Sequence, residues 1–432
     1  MSQGPSAPGT LEATRILTKS LDCVHCGLCL PVCPTYRETG REMSSPRGRV
    51  YLARGVAEGS IAFDDVVADE MGLCLGCRAC ETACPSGVQF GALLDEMRAE
   101  VERRGLRGGL AKRIETLALR GIVPHPARLR ALVSLLGLAQ RLGLDRPLLR
   151  LAPAALRERA ALLPRVPSKA DRAPLPALVP AVGDKRGRVG FFVGCIMPEL
   201  FGDVSHATVR VLARNGFDVV VAPGQGCCGA LHAHAGDSER ANELARRNVT
   251  AFDAAGVDMV VVDSAGCGAA LRDAGRWLPG TGERLAATVR DVSELLDAAG
   301  LRSPPGRIDA RVCYDDPCHL VHGQGVYEAP RRLLEQIVGV RLVSHEDPTA
   351  CCGAAGIYNL THPAMSSAVL GHKMRALAAV DPDVIASGNP GCIMQLRAGV
   401  ARFGLRAQVV HPVELLDRAY GGPSRAPDAP YL

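Results

Sequence analysis

The sequence predicts an α+β multidomain fold: a small helical unit built on cysteine loops, a basic helical connector, and two copies of one α/β domain. Three observations carry this reading. One cysteine spacing occurs twice near the N-terminus, as Cys23-Val-His-Cys26-Gly-Leu-Cys29-Leu-Pro-Val-Cys33-Pro34 and as Cys74-Leu-Gly-Cys77-Arg-Ala-Cys80-Glu-Thr-Ala-Cys84-Pro85. A leucine- and arginine-rich stretch follows, with 18 Lys/Arg against 6 Asp/Glu between residues 101 and 186. Beyond it the chain repeats itself: Cys195, the pair Cys227-Cys228 and Cys267 return as Cys318, Cys351-Cys352 and Cys392, at offsets of 123, 124 and 125 residues.

The doubled run has the C-x2-C-x2-C-x3-C-P spacing of bacterial-type ferredoxins that carry two [4Fe–4S] clusters. Each iron of the cube needs one thiolate. Three cysteines at i, i+3 and i+6 wrap one face. The fourth leaves before a proline, which fixes φ and has no N–H, and in two-cluster ferredoxins it ligates the other cluster. By that analogy one cluster takes Cys23, Cys26, Cys29 and Cys84, and the other takes Cys74, Cys77, Cys80 and Cys33. Zinc sites use paired hooks rather than such triplets, and disulfides need an oxidising compartment. His25 reads as a packing or hydrogen-bonding residue, because four cysteines already complete the set. Residues 15–100 are expected to form this helical domain after a tail over 1–14. Pro46 is expected to open a helix carrying Arg47 and Arg49, which either offset cluster charge or are solvated.

The length of 432 residues suits two to four domains, and 47% apolar with only 4% aromatic content means cores of Ala, Val and Leu. The N-terminal run MSQGPSAPGTLEATRIL has no basic segment followed by an apolar one. No stretch approaches the roughly 18 apolar residues of a membrane span. A cytoplasmic protein without a transmembrane segment is therefore expected. The stretch 101–186 has a net charge of +12 in a chain of net +5, so the remainder sums to −7. It reads as the helices ALVSLLGLAQRLGL and PLLRLAPAALRERAALL, closed by a proline-rich linker. Three readings stand for it: a solvated connector, an amphipathic surface on anionic lipid, or a dock for an acidic partner. A nucleic-acid partner is not expected, since no groove-reading motif or stacking aromatics accompany the charge.

Within the repeat, each copy is expected to run strand–helix–strand–helix–strand–helix, over 187–300 and 308–420. In the first copy Val189–Val193 leads to Cys195, Asp218–Ala222 to Gly226-Cys227-Cys228-Gly229, and Asp258–Asp263 to Cys267. The copy closes with Val289–Leu296. In the second, Arg311–Cys318, Ala350-Cys351-Cys352-Gly353, Asp383–Ala386 with Cys392, and Val409–Leu416 follow in the same order. This alternation points to parallel sheets with the cysteines at strand-to-helix junctions, the edge where ligands bind and where helix N-termini favour anions. Four cysteines per copy, Cys195, Cys227, Cys228 and Cys267 and then Cys318, Cys351, Cys352 and Cys392, suffice for a further iron–sulfur cluster. Buried cysteines holding nothing are the other reading. Gly224-Gln-Gly226-Cys-Cys-Gly229 matches G-x-G-x-x-G, but cysteines fill the turn a pyrophosphate would approach, so no nicotinamide site is assigned. Cys313 is expected in a core strand. His319 and His322 read either as donors to cluster sulfur or as surface or helix-cap residues.

Taken together, the ferredoxin motifs and the Cys-Cys-Gly repeats resemble the iron–sulfur subunit of glycolate oxidase (glycolate dehydrogenase). Ser45-Pro-Arg-Gly-Arg-Val-Tyr-Leu52, Gly226-Cys-Cys-Gly-Ala230, Ser264-Ala-Gly-Cys-Gly-Ala269 and Cys351-Cys-Gly-Ala-Ala-Gly356 add to the likeness. The resemblance implies an electron-transfer subunit of a complex oxidising glycolate to glyoxylate. Flavin-bearing oxidase subunits would act as partners, with a quinone or another, membrane-held acceptor downstream. The chain alone is not expected to oxidise glycolate. Placement is expected in the cytoplasm or peripherally on the inner face of the cell membrane. Iron–sulfur subunits of glycerol-3-phosphate and lactate oxidation complexes share this architecture. So does the catalytic subunit of heterodisulfide reductase, from which the chain departs: a fifth cysteine per site is missing, since Cys267 precedes Gly-Ala-Ala270 and Cys392 precedes Ile-Met-Gln395.

Overall fold

The computed structural model describes residues 11–144, 160 and 165–423. Most of the expected N-terminal tail, and all but one residue of the helix expected at PLLRLAPAALRERAALL, lie outside the described residues.

The N-terminal unit is helical throughout: α1 (Leu11–Leu21), α2 (Pro34–Thr39), α3 (Pro46–Glu58), α4 (Asp65–Leu73), α5 (Ala79–Thr82) and α6 (Phe90–Arg103). Proline opens α2 and α3, where its missing N–H costs no hydrogen bond. Ser45 caps α3 by accepting from the Gly48 amide, and Asp64 caps α4 by accepting from Val66 and Val67. Ile16, Val50, Met71, Leu93 and Met97 form the core, and Cys23, Cys29, Cys74, Cys80 and Cys84 pack into it. Five of the eight loop thiols thus pack against a core built by four helices.

The connector supplies α7 (Leu110–Gly121) and α8 (Pro126–Arg141). Each buries a narrow face, Leu119 on α7 and Leu129, Val133 and Gly137 on α8. Arg120 pairs with Asp237 at 2.7 Å and Arg130 with Glu199 at 2.8 Å, which ties both helices to the first α/β copy.

That copy holds β1 (Leu178–Val179), β2 (Gly187–Phe192), β3 (Phe217–Val220), β4 (Met259–Val262) and β5 (Val289–Asp291). The second holds β6 (Arg307–Tyr314), β7 (Val338–Val343), β8 (Val384–Ala386) and β9 (Gln408–Val410). The sheets run β1-β3-β2-β4-β5 and β7-β6-β8-β9. Apart from β1 every pairing is parallel, with Val189 opposite Val219 and Met259, and Val312 opposite Leu342 and Val384. Both copies therefore share one order, second–first–third–fourth strand, as a duplication requires. Central strands covered on both faces need continuous apolar runs, and Val189, Phe191 and Val312 are fully buried. Cys313, in β6, is core as expected.

Two features differ from the sequence reading. Each closing segment adds a fourth strand, β5 or β9, before its helix, and both helices begin with a capping box, Asp291 with Glu294 and His411 with Glu414. The end of the proline-rich linker is not free chain: Leu178–Val179 adds an antiparallel edge to the first sheet. The copies meet at their third cysteine loops, where the Ala265 amide donates to the Gly388 carbonyl at 3.0 Å. No described helix is long and apolar enough to cross a membrane.

Candidate metal centres

The two N-terminal loops follow one backbone path. Cys23 lies two residues past α1 and Cys74 directly past α4. The second residue after each is left-handed, His25 (φ 56°) and Gly76 (φ 66°), and so is the fourth, Gly27 (φ 87°) and Arg78 (φ 64°). For His25 and Arg78 this conformation costs about 1–2 kcal/mol each. Glycine and non-glycine exchange places between the loops, so the path is what both loops keep. Left-handed turns of this kind aim successive amides into a concavity that suits an anion. The Gly76 amide already points at Cys74 Sγ, 3.4 Å away. The loops thus fit thiolate-bound clusters. His25 is exposed, edge-on to Tyr51, and contributes its backbone.

All eight thiols are free. Cys33, Cys77 and Cys80 are buried, and Cys26 is exposed. Burial pushes the Cys80 thiol well up, with the charges of Cys77, Cys74 and Cys33 adding to it. Burial likewise raises Cys77, with Cys318, Cys74 and Cys33 contributing. Cys33 therefore lies within the field of the second loop although it belongs to the first run. Raised thiols cost free energy to ionise, and bound iron would offset that cost.

Arg49 is the residue the sequence left undecided and the structure places. It is 1% exposed. Nη1 donates to Ser44 O at 2.7 Å and Thr35 Oγ1 at 3.1 Å, and Nε donates to Glu70 O at 2.7 Å. Thr35 Oγ1 lies 3.3 Å from Cys33 Sγ. A buried cation thus stands one hydroxyl away from the proposed crossing ligand. Arg47 stays at the surface, paired with Glu42 at 2.6 Å and donating to the His25 carbonyl at 3.2 Å.

In the first copy Cys195 Sγ and Cys227 Sγ are 3.5 Å apart. Cys195 first, then Cys228, hydrogen-bonds to Cys227 and draws its thiol well below the usual range, while Cys228 also bonds to Cys267. In the second copy Cys352 and Cys392 are 3.3 Å apart, and Cys351 bonds to Cys318 and Cys352. All four sequence-predicted cysteines of each copy therefore converge. The glycine after each pair is left-handed, Gly229 (φ 89°) and Gly353 (φ 88°), with a neighbouring carbonyl where a Cβ would stand. Asn389, missed in the sequence, links the copies: Oδ1 accepts from the Gly266 amide at 3.0 Å while Nδ2 donates to Cys392 Sγ at 3.4 Å. Behind the second site, Lys373 is 3% exposed and paired with buried Asp315 at 2.7 Å, which also holds His345 at 3.2 Å. Burial opposes the Lys373 charge, but the Asp315 carboxylate prevails and raises its pKa.

The ferredoxin-like unit leans on both copies. Leu75, Cys77 and Ala79 pack in one buried group with Cys318, Cys351, Tyr358 and Val369. Arg78 pairs with Asp273 at 3.2 Å, and Arg37 with Asp347 at 2.6 Å. His319 stacks on His234 of the first copy at 5.7 Å, and His322 lies 2.8 Å from Thr82 of α5. Both histidines are contacts between domains, a role that needs the assembled fold to be visible. The first loop instead faces outward, with Val24 69% and Leu28 58% exposed beside Cys26.

Comparison with known proteins agrees with this layout. Residues 19–88 match the 4Fe-4S dicluster domain family, and 189–272 and 312–397 each match the cysteine-rich domain family. Residues 110–163 match the linker region of the glycolate oxidase iron–sulfur subunit. The chain is 40% identical to the "Probable glycolate oxidase iron-sulfur subunit" of Bacillus subtilis, over 93% of this chain and 94% of that one. It is 34% identical to the glycolate oxidase iron–sulfur subunit of Escherichia coli, over 95% of each. It is 25% identical to a subunit of the dihydromethanophenazine:CoB–CoM heterodisulfide reductase of Methanosarcina acetivorans, over 95% of this chain and 97% of that one.

Proposed function

This chain belongs to the glycolate oxidase iron–sulfur subunit family, and from that premise we propose that it carries electrons away from glycolate as it is oxidised to glyoxylate. Flavin-bearing partner subunits take the two electrons from the α-carbon. This chain passes them singly to a quinone or another acceptor, from a peripheral position on the inner face of the cell membrane. Iron–sulfur clusters supply one-electron steps when bound. In this reading Cys23, Cys26, Cys29 and Cys84 hold one cluster, and Cys74, Cys77, Cys80 and Cys33 hold the other, within a domain over 15–100. The domains 187–300 and 308–420 offer further sites at Cys195, Cys227, Cys228 and Cys267, and at Cys318, Cys351, Cys352 and Cys392.

One observation supports the relay best. The second loop is buried against Cys318 and Cys351, while the first loop presents exposed Cys26 and an apolar rim to the outside. A partner donor can approach the first, and the second leads inward. The chain's own residues hold the loops, exclude water from Cys77 and Cys80, and place the Arg49 cation beside Cys33.

The test is purification of the chain with and without its flavin partners. Alone it should show cluster spectra and no glycolate turnover. With them, glycolate should reduce the clusters. Glycolate turnover by the isolated chain overturns the reading, and reduction by lactate or glycerol-3-phosphate systems but not by glycolate reassigns the donor. A disulfide reductase is the second reading, favoured by a cleft of about 440 Å³ beside Cys351. Reduction of a mixed disulfide, lost in Cys351→Ser, would establish it.

A further inference from the structure

We infer that α7 and α8 form a face that lies on an anionic lipid bilayer. The inference rests on the peripheral placement proposed above and adds the surface that makes it. Each helix has one inward face, marked by Leu119 on α7 and by Leu129, Val133 and Gly137 on α8. At about 100° per residue, Leu110, Ile114 and Leu117 fall on the opposite side of α7, and Leu135, Leu138 and Leu142 on the opposite side at the end of α8. The first three are 73%, 59% and 67% exposed, and the others 65%, 52% and 62%. A connector that only met water would carry polar residues there. Two successive helices instead turn large aliphatic side chains away from the protein, which marks an interaction surface.

The chemistry of the face selects its occupant. Between residues 110 and 144 the sequence holds six Lys/Arg and one acid, Glu115, which is itself paired with Lys112 at 2.8 Å. Arg113 and Arg141 are exposed on the same two helices as the leucine stripes. Phe, Trp and Tyr are absent from this segment. Protein interfaces concentrate aromatic anchors, and leucine is under-represented among their hot spots. Leucine flanked by arginine suits the boundary between acyl chains and anionic headgroups. With no described helix able to span, the contact is on the bilayer rather than through it.

The test is flotation of the intact, cluster-loaded protein with vesicles of phosphatidylglycerol and phosphatidylethanolamine, against vesicles of phosphatidylcholine alone. The protein should float with the anionic vesicles, and less so at high salt. Leu117→Glu with Leu135→Glu should cut the bound fraction by roughly tenfold or more. Arg113→Gln with Arg141→Gln should weaken it several-fold while keeping the apolar stripe. These positions are exposed, so iron content and melting temperature should match the unmodified protein and separate lost binding from lost folding. Flotation that survives the glutamates overturns this face but leaves the peripheral placement standing. No flotation of the unmodified protein overturns both. Capture by a partner subunit instead of vesicles, lost in the same variants, gives the face to a protein and overturns the lipid assignment.

Discussion

Tyr358 donates a hydrogen bond from Oη to the Leu73 carbonyl at 2.8 Å, one residue before Cys74. The same side chain packs in the buried group that contains Cys77, Cys318 and Cys351, and its ring stacks on His362 at 4.5 Å. One residue of the second α/β copy thus fixes the approach to the second cysteine loop while touching the surroundings of its own copy's thiols. Tyr358→Phe keeps the packing and removes the donor. It should destabilise by about 1 kcal/mol, toward 3 if the carbonyl stays dry, read as a lower melting temperature with iron content unchanged.

Arg49 should be more sensitive than Arg47. Truncating Arg49 removes three hydrogen bonds, among them the one to the buried Glu70 carbonyl, while the Glu70 carboxylate keeps Arg41 at 3.1 Å and Ser44 at 2.9 Å. Arg49→Met should cost about 1–3 kcal/mol, the range for leaving a buried acceptor such as the Glu70 carbonyl unpaired. In any folded fraction the potential of the cluster that Cys33 joins should fall, because a nearby cation favours the more negative reduced state. Arg47→Met, at the surface, should stay within about 1 kcal/mol. Thermal melts and redox titration followed by electron paramagnetic resonance check both.

The glycines of the two Cys-Cys-Gly turns should differ in tolerance. A Cβ at Gly353 would stand 2.6 Å from the Ser366 carbonyl oxygen, whereas at Gly229 the nearest atom, the Ala241 carbonyl oxygen, is 3.1 Å away. Both are left-handed, so alanine is strained at either, by about 1 kcal/mol or more. Gly353→Ala should lose more stability than Gly229→Ala, because backbone must also shift. Paired denaturation curves measure the difference.

Much of this layout is legible in the sequence for one reason: in the proposed ligand sets three of each cluster's four thiolates share a short loop, so their spacing survives as a string. The four landmarks of the repeat are legible in the same way, since each sits at a strand-to-helix junction. What is not legible depends on apposition. Arg47 and Arg49 stand two residues apart at one helix start, and only the packing of α2 and α4 around the second makes it core. Asn389 carries no signal in the sequence, and its role appears only when the first copy's Gly266 amide is brought against it. The two residues of β1 are too few for a periodicity and gain their meaning from β3, some forty residues on. His319 and His322 read as exposed or capping residues until α5 and His234 arrive beside them.

Asp263 should contribute a share of stability that falls as pH rises from mildly acidic to neutral, whereas His234, His319, His362 and His411, all lowered by burial, contribute shares that rise as pH climbs toward 6.5. Burial pushes the Asp263 carboxyl up to about 7, against which hydrogen bonds from Ser205 and Thr208 act only partly. Between the unfolded value near 3.8 and about 7 the folded chain holds a proton that the unfolded chain releases, so raising pH through that window favours unfolding. Asp291, raised by burial to about 6, acts with the same sign. Asp263→Asn should make the slope of stability against pH more positive between about pH 5.5 and 7.5 than in the unmodified protein. Urea midpoints across that range, compared with the unmodified protein, check it. An unchanged slope would count against the buried proton.

The most direct measurement is an iron and acid-labile sulfide count on anaerobically purified, reconstituted protein, with electron paramagnetic resonance after dithionite reduction, for the native chain and for Cys33→Ser. The native chain should hold at least about eight irons and eight sulfides and show two interacting reduced [4Fe–4S] signals. Cys33→Ser should disturb the centre built on Cys74, Cys77 and Cys80, not the one whose other thiolates lie in its own loop. Protein that takes up zinc or no iron, or a Cys33→Ser chain whose perturbed centre is the Cys23–Cys29 one, would contradict the account.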